Sequence, residues 1–351
     1  MTASPAWRAL AQSLIGDPVL TGPEVALQAG IDFPQARRLW GALGFPPVPD
    51  DARVFTPSDV AVLRAIRALL DEQTGDPAAL LQLTRVTGQS LARVAEAHVA
   101  SRADLFALLH PDAANVDVIA SRVGALAPQL ESIFAYVWRR HLLAAVLRFA
   151  ATTGVGSGAD RTVVVGFADL VGFTAISQQL SEHELAAMVD RFETLAYEHI
   201  LAWGGRVVKM IGDEVMFSVE TAHAAAEIAL ALVDAYAEDG ALPDVRTGLA
   251  IGPTLSWEGD LFGPTVNLAS RLVNIARPGT VLVAEDLGHA LREAPWFTLR
   301  HLRPLPLKGI GSVRTWVLRR TTTPSDDPSE PPRQRRQDRR QPRKERNHAR
   351  P

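Results

Sequence analysis

No cysteine occurs among the 351 residues, so disulfides, thiolate zinc sites and cysteine nucleophiles are excluded. Lysine is nearly as scarce. Lys209, Lys308 and Lys344 are the only three, which makes 33 of the 36 basic side chains arginine. A compact ammonium kept in such a chain marks a place where a planar guanidinium fork does not fit. Uninterrupted apolar runs of about 18 residues are also missing, as is a basic N-terminal flank leading into an apolar stretch and cleavage site. The expectation is a soluble cytoplasmic protein with no transmembrane segment. Excess positive charge is absent from the body: residues 1–320 carry a formal charge of −7 and residues 321–351 one of +4, within a total of −3. Nucleic-acid binding by the folded body is therefore not expected.

The chain does have ample core, with 47% hydrophobic and 21% charged residues. Residues 1–150 read as an all-α bundle. Pro23 can open a helix, Asp32 with Gln35 resembles a capping box, and Thr56-Pro57-Ser58-Asp59 starts a helix with Val60, Leu63, Ile66, Leu69 and Leu70 on one face. Asp76-Pro77 begins another, and the pattern predicts separate helices over 89–109, 115–125 and 128–150. A helix-turn-helix pattern about Gly30 resembles the start of MerR-type regulators, although a net charge of −1 over 1–150 lacks a DNA-binding footprint. Residues 151–160 read as a small-residue linker. Strand and helix alternate over 161–320. The last segment, 321–351, is rich in arginine and proline, with too few apolar side chains to fold.

Within 161–320 the polar outliers cluster at element ends. Val163 to Phe167 reads as a buried strand ending at Asp169. Arg206 to Phe217 reads as a β-hairpin with Gly212-Asp213 at its tip, a pair suited to a type II′ turn. Two carboxylates at neighbouring strand ends could hold hard cations through oxygen ligands. Asn267 and Arg271 are four apart, on one face of a helix that starts at Pro264. Asp260 lies in a glycine-flanked loop before them. Lys308 lies before Gly309, with Gly311 two residues on, where there is room for a phosphate. Metal carboxylates, phosphate cations and a Lys/Asp pair able to read a base edge make up the set.

Phe167-Ala168-Asp169-Leu170-Val171-Gly172-Phe173-Thr174, Gly205 to Phe217, and Asp260 to Arg271 together resemble the class III nucleotidyl cyclase homology domain. The resemblance covers about residues 160–320. It implies an α+β fold, ferredoxin-like, behind the helical bundle, and it implies adenylyl cyclase activity. Less specifically, the bundle resembles the regulatory region of soluble actinobacterial adenylyl cyclases, some of them pH-responsive. Carried over by residue, Asp169 and Asp213 match the two metal-binding aspartates, and the backbone of Gly172, Phe173 and Thr174 faces the phosphates. Lys209 and Asp260 match the adenine-selecting pair, Asn267 and Arg271 the pair that orients ribose and steadies the α-phosphate, and Lys308 the lysine for the outgoing phosphates.

The reaction so implied converts ATP to 3′,5′-cyclic AMP and pyrophosphate. Two ions, Mg2+ or Mn2+, assist attack of the 3′-hydroxyl on the α-phosphorus. The sites are composite, so the partner is a second copy in a homodimer. Two alternatives are a guanylyl cyclase, which Lys209 and Asp260 oppose, and a DNA-binding regulator with a cyclase-like nucleotide-sensing domain. His141, just before the linker, is the candidate pH sensor.

Overall fold

The computed structural model describes residues 5–71, 76–109, 116–153, 161–307 and 309–321. Lys308, most of the linker and all but the first residue of the C-terminal segment lie outside the described residues. Six helices come first: α1 (Pro5–Ile15), α2 (Gly22–Ala29), α3 (Phe33–Ala42), α4 (Pro57–Asp71), α5 (Pro77–Leu109) and α6 (Val116–Thr153). Val25, Ala26, Leu39, Trp40 and Leu63 form their small core, and Trp40 stacks on Phe55 with ring centroids 4.4 Å apart. Thr21 and Glu24 form a reciprocal capping box at α2.

Three expectations for this half need correction. Asp32 is the N-cap of α3, but its side chain makes no capping hydrogen bond, so the box with Gln35 does not form. The helix expected to start at 89 is continuous with the one from Pro77. Gly88 interrupts nothing; it is small because a Cβ there would lie 2.4 Å from the carbonyl oxygen of Leu43. The helices expected at 115–125 and 128–150 are likewise one, running through Pro128 and on to Thr153. Gly124, one turn before the proline, lies against Leu10 and Ser13, and packing on α1 carries the helix across the break.

The second half contains β1 (Arg161–Leu170), α7 (Phe173–Ser177), α8 (Glu182–Ala202), β2 (Arg206–Ile211), β3 (Glu214–Val219), α9 (Ala222–Asp239), β4 (Val245–Trp257) and β5 (Asp260–Phe262). It continues with α10 (Pro264–Ile275), β6 (Val281–Ala284), α11 (Glu285–Leu291), β7 (Phe297–His301), β8 (Leu305–Leu307), β9 (Gly311–Val313) and β10 (Thr315–Arg320). The main sheet has the order β2-β3-β1-β4-β6-β10-β7, and β5 pairs with β4. Its first four strands pair antiparallel and are linked through α8 and α9, which is the βαββαβ ferredoxin-like unit. The fold is thus α+β behind an all-α region.

Strand alternation sorts the sheet's side chains into two cores. Val164, Ala168, Val215, Phe217 and Leu249 face α8 and α9, where Phe192, Ile200 and Leu232 are fully buried. Val163, Val165, Phe167, Met216 and Ala250 face the other way, toward Ala269, Leu272 and Val273 of α10. Asp169 lies within β1, not after it, and Asp260 lies within β5, not in a loop. Among the described residues no helix is long and apolar enough to cross a membrane.

Candidate active site

Register places the first group of side chains. Asp169 pairs with Glu214 of β3 on one side and with Arg246 of β4 on the other, so the three form one row across the sheet. By parity with Phe167, Met216 and Ala250, that row lies on the α10 face. The β2–β3 turn closes with Gly212 at φ +63, the positive φ expected at the first central position, and brings Asp213 alongside. The amide of Leu170 donates to the carbonyl of Asp213 at 3.1 Å, which locks turn and strand end together.

Electrostatics at this row are unfavourable without a cation. Burial first, and then the facing Asp169 carboxylate, hold the Asp213 carboxyl above the ordinary aspartate range. Glu214 is pushed up to about 7 by burial, then by Asp169 and Asp213, and one of its buried oxygens accepts no hydrogen bond. The compensating charge is Arg246, whose Nε donates to Asp169 at 2.7 Å and which also donates to the carbonyl of Asn274 on α10 at 3.0 Å. A pair of facing carboxylates, one resisting ionisation, fits a hard divalent cation whose remaining ligands come from phosphate oxygens. Among the described residues no group of three or more His, Asp or Glu side chains is arranged to hold a metal from protein alone. Sequence reading passed over Glu214 and Arg246. Position in the row is their only signal, and that requires the register.

A second group forms 51 residues apart in sequence. The β4–β5 hairpin brings Asp260 to β2, where the Lys209 ammonium donates to its carboxylate at 2.5 Å. The amide of Leu261 donates to the other carboxylate oxygen at 2.7 Å, fixing its orientation. Lys209 pairs with Met216 and thus shares the face that carries the carboxylate row. One donor and one acceptor side by side, both partly exposed, can read a donor–acceptor edge on a planar ligand.

Asn267 and Arg271 lie one turn apart on α10, and both are exposed. Gly263 at φ +129 and Pro264 start this helix, and Thr265 anchors it by donating to the carbonyl of Pro253 at 2.8 Å. Within one chain, therefore, the sequence-predicted residues assemble as two contacting pairs, Asp169 with Asp213 and Lys209 with Asp260. Among the described residues no side-chain hydrogen bond or ion pair joins Asn267 or Arg271 to either pair. Gly172, at φ +77, precedes the short helix that starts with Phe173 and Thr174, and Phe173 packs on the α8/α9 core.

Comparison with known proteins identifies the two halves of the chain. Residues 156–320 match the adenylate and guanylate cyclase catalytic domain, and residues 2–149 match the adenylate cyclase regulatory domain. An adenylate cyclase of Streptomyces coelicolor is 37% identical over 325 residues, covering 85% of each chain. One from Glutamicibacter nicotianae is 35% identical over 84% of this chain and 77% of its own. A pH-sensitive adenylate cyclase of Mycobacterium tuberculosis is 33% identical over 88% of this chain and 81% of its own. The chain belongs to the adenylate cyclase family, with a family catalytic domain behind a family regulatory domain.

Proposed function

We propose that the protein is a cytoplasmic adenylyl cyclase that converts ATP to 3′,5′-cyclic AMP and pyrophosphate at composite sites of a homodimer. The observation that carries this reading is the Lys209–Asp260 pair. Adenine presents an acceptor at N1 and a donor at its 6-amino group, which Lys209 and Asp260 complement; guanine presents the reverse polarity and leaves both unmatched. The domain division follows the chain: a regulatory domain at 1–150, a linker at 151–160, the catalytic domain at 161–320 and a tail at 321–351.

Each residue has a task. Asp169 and Asp213 would hold Mg2+ or Mn2+, two ions per site, which when bound acidify a hydroxyl and neutralise phosphate charge. Backbone at Gly172, Phe173 and Thr174 faces the phosphates. Asn267 orients the ribose, Arg271 stabilises negative charge that grows on the α-phosphate, and Lys308 receives the outgoing phosphates. The second copy supplies what one chain separates. Support for this comes from Asn267 and Arg271 being exposed on α10, and from Ile211, Leu255, Trp257 and Phe262, large apolar side chains left about half exposed. Incubation of the purified chain with ATP and Mn2+ is expected to yield cyclic AMP, and Asp213→Ala is expected to abolish it. Activity that survives Asp213→Ala unchanged, or that prefers GTP, refutes the reading.

A further inference from the structure

Asp260 is delivered by a two-residue turn, Glu258-Gly259, between the paired residues Trp257 and Asp260. Both turn residues have positive φ, +55 at Glu258 and +79 at Gly259. Glu258 is the only non-glycine residue with positive φ among the described residues. Asparagine, aspartate or glycine adopts that conformation far more readily than glutamate, so its side chain is retained against local preference. The reason lies 173 residues away: Arg85 of α5 donates to the Glu258 carboxylate at 3.3 Å. The regulatory half thus touches the turn two residues from Asp260.

The base of this hairpin is anchored, with Leu261 buried in the core beneath α10, whereas its tip is held lightly. Arg206 donates to the carbonyl of Gly259 at 3.2 Å, and Lys209 meets Asp260 itself. Leu255 and Trp257 are about half exposed, and a cavity of about 620 Å³ separates the flank at Ser256 and Leu261 from Ala145 and Arg148 of α6. A hairpin tip so exposed sits at the low end of local stability, where a single ion pair moves its average position. Arg85 is itself well referenced, because α5 lies directly on the backbone of Leu43 at Gly88, one turn further along.

We propose that Arg85 and Glu258 are positioning residues through which the regulatory domain sets the alignment of Asp260, and so the affinity for the nucleotide base. The inference rests on the assignment of Asp260 to base recognition. It places regulation in KM for ATP and leaves the chemistry at the carboxylates untouched. Glu258→Asn keeps the turn, since asparagine tolerates positive φ, and removes the ion pair. In the full-length protein, Glu258→Asn and Arg85→Glu are each expected to raise KM for ATP about twofold to fivefold with kcat nearly unchanged, the ceiling being that of an exposed ion pair. Arg85→Lys is expected to retain the parental KM, and the exchange Arg85→Glu with Glu258→Arg to recover most of it. An unchanged KM in Arg85→Glu, or equal loss of kcat in both single variants, overturns the proposal. Hydrogen exchange of the 255–262 amides without nucleotide decides the contact by itself. Faster exchange in Arg85→Glu carries it and unchanged exchange sinks it, whereas an Asp260→Ala variant with parental KM refutes only the base assignment.

Discussion

Gly248 offers the sharpest test of how the fold positions the site. It lies in β4 between Phe167 of β1 and Leu282 of β6, beneath α10. A Cβ built there would lie 2.3 Å from the amide nitrogen of Val273 and 2.6 Å from the carbonyl oxygen of Ala269, both helix backbone. Neither atom can swing aside as a side chain would, so in Gly248→Ala the helix must retreat by about 1 Å to restore ordinary contact. Overpacking of this kind costs about 1–3 kcal/mol. The loss of glycine's freedom in the unfolded chain returns about 0.4–1 kcal/mol. The net expectation is a destabilisation of about 1–2 kcal/mol, read as a lower urea midpoint by circular dichroism. Because α10 carries Asn267 and Arg271, the same retreat is expected to lower kcat by up to about 100-fold. Gly41→Ala in α3 is the control. Nothing lies within 4 Å of its added methyl, and it is expected to stabilise the protein by about 0.5–1 kcal/mol with no change in activity. A Gly248→Ala protein with the parental midpoint and kcat would refute the close packing of α10 on β4.

Mixing inactive Asp169→Ala with inactive Asn267→Ala protein is expected to restore about a quarter of the parental cyclic AMP production, since one of the two composite sites in each mixed dimer is intact and about half the dimers are mixed; no recovery counts against shared sites. Glu214 has a pH signature. Its carboxyl is raised from 4.5 to about 7 on folding, so between those values the native state keeps a proton that the unfolded chain has lost, and stability falls as pH rises through that window. In EDTA, the parent is expected to lose more stability between pH 5 and pH 8 than Glu214→Gln, and parallel curves in urea would dismiss the effect. Tyr236 is fully buried and its hydroxyl donates to the carbonyl of Phe192 at 2.6 Å, joining α9 to α8. Tyr236→Phe removes that bond, while the carbonyl of Phe192 keeps its intrahelical partner, and is expected to cost about 0.5–1.5 kcal/mol by thermal unfolding, with KM for ATP unchanged.

Much of this protein is legible along the chain because its signals are local. The helix start at Pro264 depends on neighbours three or four residues away, and the structure has it in place. Lys209 stands out by composition alone. Where the sequence misleads, a distant contact has replaced the local rule: Gly88 and Pro128 look like helix breaks, yet α5 runs on because Gly88 fits against Leu43 and α6 because it packs on α1. The site shows the same division. Residue types and spacing single out Asp169, Asp213, Lys209 and Asp260. Only strand register sets Glu214 and Arg246 beside Asp169, only the β4–β5 hairpin closes the 51-residue gap between Lys209 and Asp260, and only the packing of the two halves sets Arg85 against Glu258. Periodicity encodes which face a side chain takes, whereas pairing partners far apart in sequence are chosen by the summed burial of both cores, a quantity no local stretch contains.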